Sequence, residues 1–261
     1  MVKKKSEPPT PSGTVVIASV LRAAAPRPTP KSKTSEKNKY AVRFANAMAE
    51  CFALDLGDKL KGISASAQRT ARSAAGKAKQ LDVNFSTSAT GLALGVSLKS
   101  VHIREEAGSG RYTHNLKRNE EELRIEALGY HKRQPYAVMV GVLFLPLDAC
   151  TDGTDISSFA SWVRHLRPYA GRRRPGDEPD MFEKLYLGLY DPAGTELKFF
   201  DVESDPPRMG NPRKTGALTD ADGRYRRLLD YGEFLAAVHG VYLERNHANF
   251  KWDDGAEDPL D

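Results

Sequence analysis

The chain has 261 residues, 40 % of them hydrophobic, and 39 Lys and Arg against 34 Asp and Glu give a formal charge of +5. That length and apolar content suit a sizeable core, and the modest basic excess favours a polyanionic partner. The two cysteines, Cys51 and Cys150, sit in apolar runs without CxxC spacing or a nearby histidine pair. They read as buried thiols in a reducing compartment, not as a zinc site or disulfide framework.

The early apolar run TVVIASVLRAAA is broken by Arg22 and followed by proline and lysine, so it makes a poor signal peptide. No run reaches the ~18 apolar residues that a membrane span needs. A cytoplasmic protein is therefore expected. Residues 1–36 are rich in Pro, Lys, Ser and Thr and predict a disordered basic tail with a short element at 14–24. Such a tail is either simply solvated or a salt-sensitive nucleic-acid arm.

From residue 37 the pattern becomes regular. Phe44, Met48, Cys51 and Phe52 make an apolar stripe that predicts a helix over 37–56. Residues 62–78 read as a helix or a loosely helical basic linker. Two strands at 81–86 and 92–102 enclose a turn that ends on Gly91, and the second is apolar on both faces until its end. A polar loop leads to a charged helix at 115–130, with Leu116, Leu123, Ala127 and Tyr130 as its packing stripe. A buried strand is predicted at 136–146 and an amphipathic helix at 157–169, with Ser157 as N-cap. KLYLGLYD and ELKFFDV flank the turn PAGT as a second hairpin. The last helix is expected at about 223–245, before an acidic tail at 251–261. This order predicts a single α/β domain over 37–250, with a mixed central β-sheet flanked by helices.

The chemistry concentrates on the first hairpin. Asp82 lies on its first strand, and the second strand ends on Ser97, Leu98 and Lys99. Ser97 and Lys99, two apart, face the same side. Hydrolysing a phosphodiester calls for carboxylates that hold Mg²⁺ and for a cation that stabilises charge at the phosphorus. Asp82 suits the first task as a bridging metal ligand, and Lys99 suits the second while orienting the attacking water. Asp82 in a salt bridge with Lys79, and Lys99 as an exposed strand-end lysine, are the structural alternatives.

Asp82 followed by Ser97-Leu98-Lys99 resembles the PD-(D/E)xK nuclease superfamily, in which an acid on one strand meets acid-x-lysine at the end of the next. Ser97 stands where an acid is usual. A subset of type II restriction endonucleases carries a similar S-x-K and takes the missing carboxylate from the following helix. The resemblance implies a restriction-endonuclease-like fold with a catalytic unit at about 37–146 and DNA recognition at about 150–250. It implies Mg²⁺, double-stranded DNA as substrate, and a homodimer or higher assembly. Asp82, Ser97, Lys99 and Glu122 would be catalytic. Asp82, Glu122 and Glu126 would bind metal, joined by Glu50 of the first helix. Glu120 and Glu121 are further candidates on the same helix, whose acids otherwise read as a solvated run paired with Lys117 or Arg118.

Two basic loops lie beyond that unit. Arg172, Arg173 and Arg174 suit DNA backbone contact or guanine readout, with Arg208, Arg213 and Lys214 as a second cluster. Solvated charge is the alternative for both. His131, Lys132 and Arg133 either hold a phosphate, position the acidic helix, or simply complement its dipole. There is no Walker-type loop and no G-x-S-x-G context. The competing function is a non-catalytic nucleic-acid-binding protein on a decayed nuclease fold, for which Ser97 argues. A nuclease acting on branched or damaged DNA is a third.

Overall fold

The computed structural model describes residues 12–65, 81–87, 91–104, 110–113, 115–152, 156–204 and 228–246. The chain forms helices α1 (Gly13–Ala24) and α2 (Thr34–Leu56), then strands β1 (Ser64–Ala65), β2 (Val83–Thr87) and β3 (Gly91–Ser100). Helix α3 (Leu116–His131), strand β4 (Val138–Pro146) and helix α4 (Ser158–Leu166) follow. Strands β5 (Lys184–Tyr190), β6 (Leu197–Asp201) and β7 (Leu228–Leu229) precede helix α5 (Tyr231–Arg245). The seven strands form one sheet in chain order. Its centre is parallel, with β3 beside β4 and β4 beside β5, and the remaining pairs on both sides are antiparallel. The expected mixed α/β sheet flanked by helices is present.

Strand alternation sorts the core into two layers. Leu94, Val96 and Leu98 of β3, with Val138, Val140, Val142 and Phe144 of β4, pack with α1, α2 and α5. Phe52, Phe199, Tyr231 and Phe234 fill that layer, and the Phe199 and Phe234 rings stack with centroids 3.9 Å apart. Met139, Leu143 and Leu145 face the other layer, with Leu123, Ala127 and Tyr130 of α3 and Phe159, Trp162 and Val163 of α4. The two parallel connections each carry a helix across this second face, because a parallel pair cannot close through a tight turn.

Local chemistry sets the element ends. Ser157 accepts a hydrogen bond from the Ala160 N–H at 3.1 Å, as an N-cap does. Asp230 and Glu233 form a reciprocal capping box, with bonds of 2.8 Å each way. That box starts α5 at Tyr231, whereas the sequence predicts a start near 223. Leu228 and Leu229 instead pair with Phe200 and Phe199 as an edge strand. Of residues 62–78, where a helix or basic linker is expected, Ser64–Ala65 instead pair as the edge strand β1, and 66–78 lie outside the described residues.

The expectation of a disordered tail fails for residues 12–36. Val16, Ile17, Val20 and Ala24 of α1 are buried in the first layer, and α2 already begins at Thr34. Their spacing along α1 gives one apolar face. Burial of that face offsets the ordering entropy that the surrounding Pro, Lys and Ser cannot.

Arg172 corrects a second expectation. Its side chain is fully buried and cannot reach DNA. One terminal nitrogen donates to Glu183 Oε1 at 2.8 Å and to the Pro135 carbonyl, and the other donates to the Pro175 carbonyl. Arg245 of α5 reaches the same Glu183 oxygen at 3.1 Å, and His131 at the end of α3 lies 3.3 Å from the other. Burial works against the Glu183 carboxylate, but its bonds with His131, the Met139 N–H and Arg172 hold its pKa below the usual value. His131 is therefore a core residue that joins α3 to β5, not a phosphate ligand. Removing one partner of a buried charge leaves the other uncompensated. Arg172→Ala is expected to cost about 3 kcal/mol of unfolding free energy in urea titration. The exposed Arg174→Ala should stay within about 0.5 kcal/mol of the wild type.

Candidate active site

Asp82 immediately precedes β2, whose Val83 pairs with Val96 of β3. The Asp82 N–H donates to the Val96 carbonyl at 3.1 Å, so its side chain is delivered to the end of β3. Its Oδ2 accepts the Leu98 N–H at 2.7 Å. The acid is thus locked to the backbone of the S-x-K segment itself. Burial raises its pKa to about 6, against the lowering effects of the Leu98 hydrogen bond and Lys99.

Leu98 points into the first core layer, so Ser97 and Lys99 point to the opposite face, under α3. There they meet Glu126. The Ser97 hydroxyl donates to Glu126 Oε2, and Lys99 Nζ lies 2.8 Å from Glu126 Oε1. Glu122, one helical turn earlier, is 3.7 Å from Lys99 and also pairs with Arg118 at 2.9 Å. Burial disfavours the Lys99 ammonium, but Glu126 and then Glu122 and Asp82 outweigh it and hold the pKa above the ordinary lysine value. Lys99 is therefore a cation at neutral pH.

Helix α3 puts its acids on different faces. Leu123, Ala127 and Tyr130 anchor it to the sheet, which turns Glu126 inward, with only 10 % of its side chain exposed, and leaves Glu122 at 37 %. Glu120 is buried on another flank, near Arg124 at 3.6 Å and His165 at 3.4 Å. Glu121 is exposed.

A cleft of about 620 Å³ opens along this end of the sheet. Asp82, Lys99 and Glu122 line it, with Lys37, Asn38 and Asn46 of α2 on one wall and Asn115, Arg118 and Asn119 on the other. His102 lies at its base, with its ring against Tyr40 and Phe44 and its Nδ1 2.7 Å from the Tyr190 hydroxyl. Burial and then Arg27 push the His102 pKa down to about 3, so the ring is neutral. Neither His102 nor the four asparagines carry a sequence signal that marks them. His102 reaches the cleft on the segment that follows β3, and the asparagines reach it through the placement of α2 and α3.

The structure brings Asp82, Ser97, Lys99, Glu122 and Glu126 to one place. It does not bring Glu50, which is exposed on α2 and absent from the cleft lining, and this corrects its expected metal role. Arg173 is tied to Glu203, and Arg174 is exposed in the same loop. Arg208, Arg213 and Lys214 lie outside the described residues. Among the described residues, no three His, Cys, Asp or Glu side chains are grouped closely enough to hold a metal ion. No described helix is long and apolar enough to cross a membrane.

Asp82 makes a signed prediction. Its folded pKa of about 6 lies above the ordinary aspartate value of 3.8, so folding is penalised above pH 6 and the penalty vanishes as pH falls toward 4. Asn keeps an oxygen that can accept the Leu98 N–H and carries no charge. Asp82→Asn is expected to stabilise the protein at pH 8 by an amount on the order of 2 kcal/mol, and by almost nothing near pH 4. Thermal unfolding at both pH values checks this. Comparison of the chain with protein-family models and curated proteins, and with solved structures, returns no match, so every functional statement rests on the geometry above.

Proposed function

We propose that this protein is a Mg²⁺-dependent double-stranded DNA endonuclease of the PD-(D/E)xK kind, resembling the S-x-K type II restriction enzymes. One observation carries the reading: Glu126 of α3 touches both Ser97 and Lys99, while Asp82 is bonded to the residue between them. An S-x-K site needs a carboxylate from the following helix, and this helix supplies one at the motif. Order of elements adds support, because an antiparallel hairpin, a helix and a parallel strand follow the first long helix in turn. Glu126 takes the position of the displaced acid, and Glu122 sits nearer the cleft mouth.

The donor set suits Mg²⁺ chemically. That ion takes hard oxygen ligands, usually one or two carboxylates, and fills its remaining positions with water and phosphate oxygens. Asp82 and Glu126 would hold it, with Glu122 as an outer partner. When bound, it would neutralise charge on the phosphate and acidify a water. The chain's own residues set the conditions. Burial raises the Asp82 pKa to about 6 in the metal-free protein, so a proton competes with the metal there and metal affinity rises with pH. Lys99 keeps its proton and offers positive charge to the phosphorus centre. Ser97 orients the Glu126 carboxylate by donating to one of its oxygens. Cutting both strands of a duplex calls for two such sites, hence a homodimer or a higher assembly.

The decayed-nuclease reading also has an observation in its favour. Lys99 and Ser97 already engage both oxygens of Glu126, a self-satisfied pair that needs no metal. Plasmid and phage DNA separate the two readings. The wild type should give discrete fragments with Mg²⁺ and none with EDTA, while Lys99→Ala and Glu126→Gln should each cleave at least about 100-fold more slowly. Full metal-dependent cleavage by Lys99→Ala contradicts the assignment. A salt-sensitive gel shift without cleavage supports the binding protein.

A further inference from the structure

The α1–α2 connection and the outer face of α2 carry a charge pattern that the catalytic reading leaves unused. Between Arg22 and Arg43 the sequence has seven cationic side chains and one acidic, Glu36. The cations divide by position. Arg27, Lys37 and Arg43 donate to backbone carbonyls and stitch the connection in place. Arg27 donates to the His102 carbonyl at 2.9 Å, Arg43 donates to the Ala24 carbonyl at 2.9 Å, and Lys37 donates to the Pro30 carbonyl. Arg22, Lys31, Lys33 and Lys39 are exposed.

This basic surface adjoins the cleft. Arg27, Lys39 and Arg43, with the single acid Glu36, line a depression of about 270 Å³ on one flank of α2. Lys37, Asn38 and Val42 line the catalytic cleft on its other flank. Arg27 joins the two, because the residue whose carbonyl it binds, His102, lies at the base of the cleft. The strand end that bears Lys99 and the basic connection are thus one rigid rim.

We propose that this rim is a phosphate track, on which the backbone of duplex DNA lies as it enters the cleft, with Lys31, Lys33 and Lys39 as its contacts. The proposal rests on the nuclease reading of the cleft and names the surface that holds its substrate. The chemistry is that of backbone positioning, where cations fix the register of a duplex without reading its sequence. A rigid connection helps, because a held cation loses less freedom on binding than a tail does.

Each neutralised phosphate adds about 0.9 to the slope of log affinity against log salt. The test is fluorescence anisotropy with a labelled duplex across a salt series, in Ca²⁺ so that the duplex stays intact. The triple variant Lys31→Gln, Lys33→Gln, Lys39→Gln is expected to lower that slope by about two to three. The control triple Lys59→Gln, Lys61→Gln, Arg164→Gln changes net charge equally at exposed positions beyond the rim and should keep the wild-type slope. A track triple with the wild-type slope overturns the proposal, as does a control triple that falls as far. If the wild type cleaves DNA while the track triple binds unchanged, the track alone is lost. If the wild type neither binds nor cleaves, the nuclease reading falls with it.

Discussion

Glu126 is a carboxylate held largely away from water, and such a group persists only if its oxygens are satisfied. Ser97 and Lys99 satisfy them, one on each oxygen. That requirement fixes the rest of the site. It sets the rotation of α3 on the sheet, because Leu123, Ala127 and Tyr130 must pack while Glu126 faces β3. It sets the register of the hairpin, because a slip of one residue would turn Ser97 and Lys99 into the apolar layer. The Leu98 N–H then falls to Asp82, whose strand is paired in that same register.

The surrounding fold keeps this arrangement rigid without contributing to its chemistry. Two buried polar systems lie in the second layer, and they differ in kind. The Glu183 system is closed: Arg172, Arg245 and His131 surround one acid, and they tie β5 to the ends of α3 and α5. The Asp82 system is open to a cleft and imperfectly compensated, so burial raises its pKa. A shift of that origin stores unfavourable free energy that a bound cation could relieve. Structural ion pairs have no such imbalance to offer, and the contrast is what separates a candidate site from a staple.

Much of the fold was legible because its signals are local. Buried parallel strands read as continuous apolar runs, Ser157 reads as a cap, and the second hairpin reads from its turn. Helix α1 matches the short element expected at 14–24, but its docking into the core is not legible from composition: Pro and Lys around it suggest a tail, while Val16, Ile17 and Val20 share a buried face. The start of α5 departs from the apolar pattern because the Asp230–Glu233 capping box sets it at Tyr231. At the site, Asp82, Ser97 and Lys99 could be chosen from strand alternation alone. The choice among the acids of α3 could not, since Glu122 and Glu126 share a stripe and only the depth of packing separates them. Arg172 shows the converse limit. Three consecutive arginines look alike in sequence, but loop geometry buries the first and exposes the third.

The central claim is that Asp82 and Glu126 together form a divalent-cation site beside Lys99. Binding of Mn²⁺ to the protein in the presence of an uncleavable duplex, followed by electron paramagnetic resonance at pH 8, tests it most directly. The wild type should take up the ion, and Glu126→Gln should bind it at least about tenfold more weakly. Equal Mn²⁺ affinity in both proteins, or no uptake by the wild type, would contradict the account.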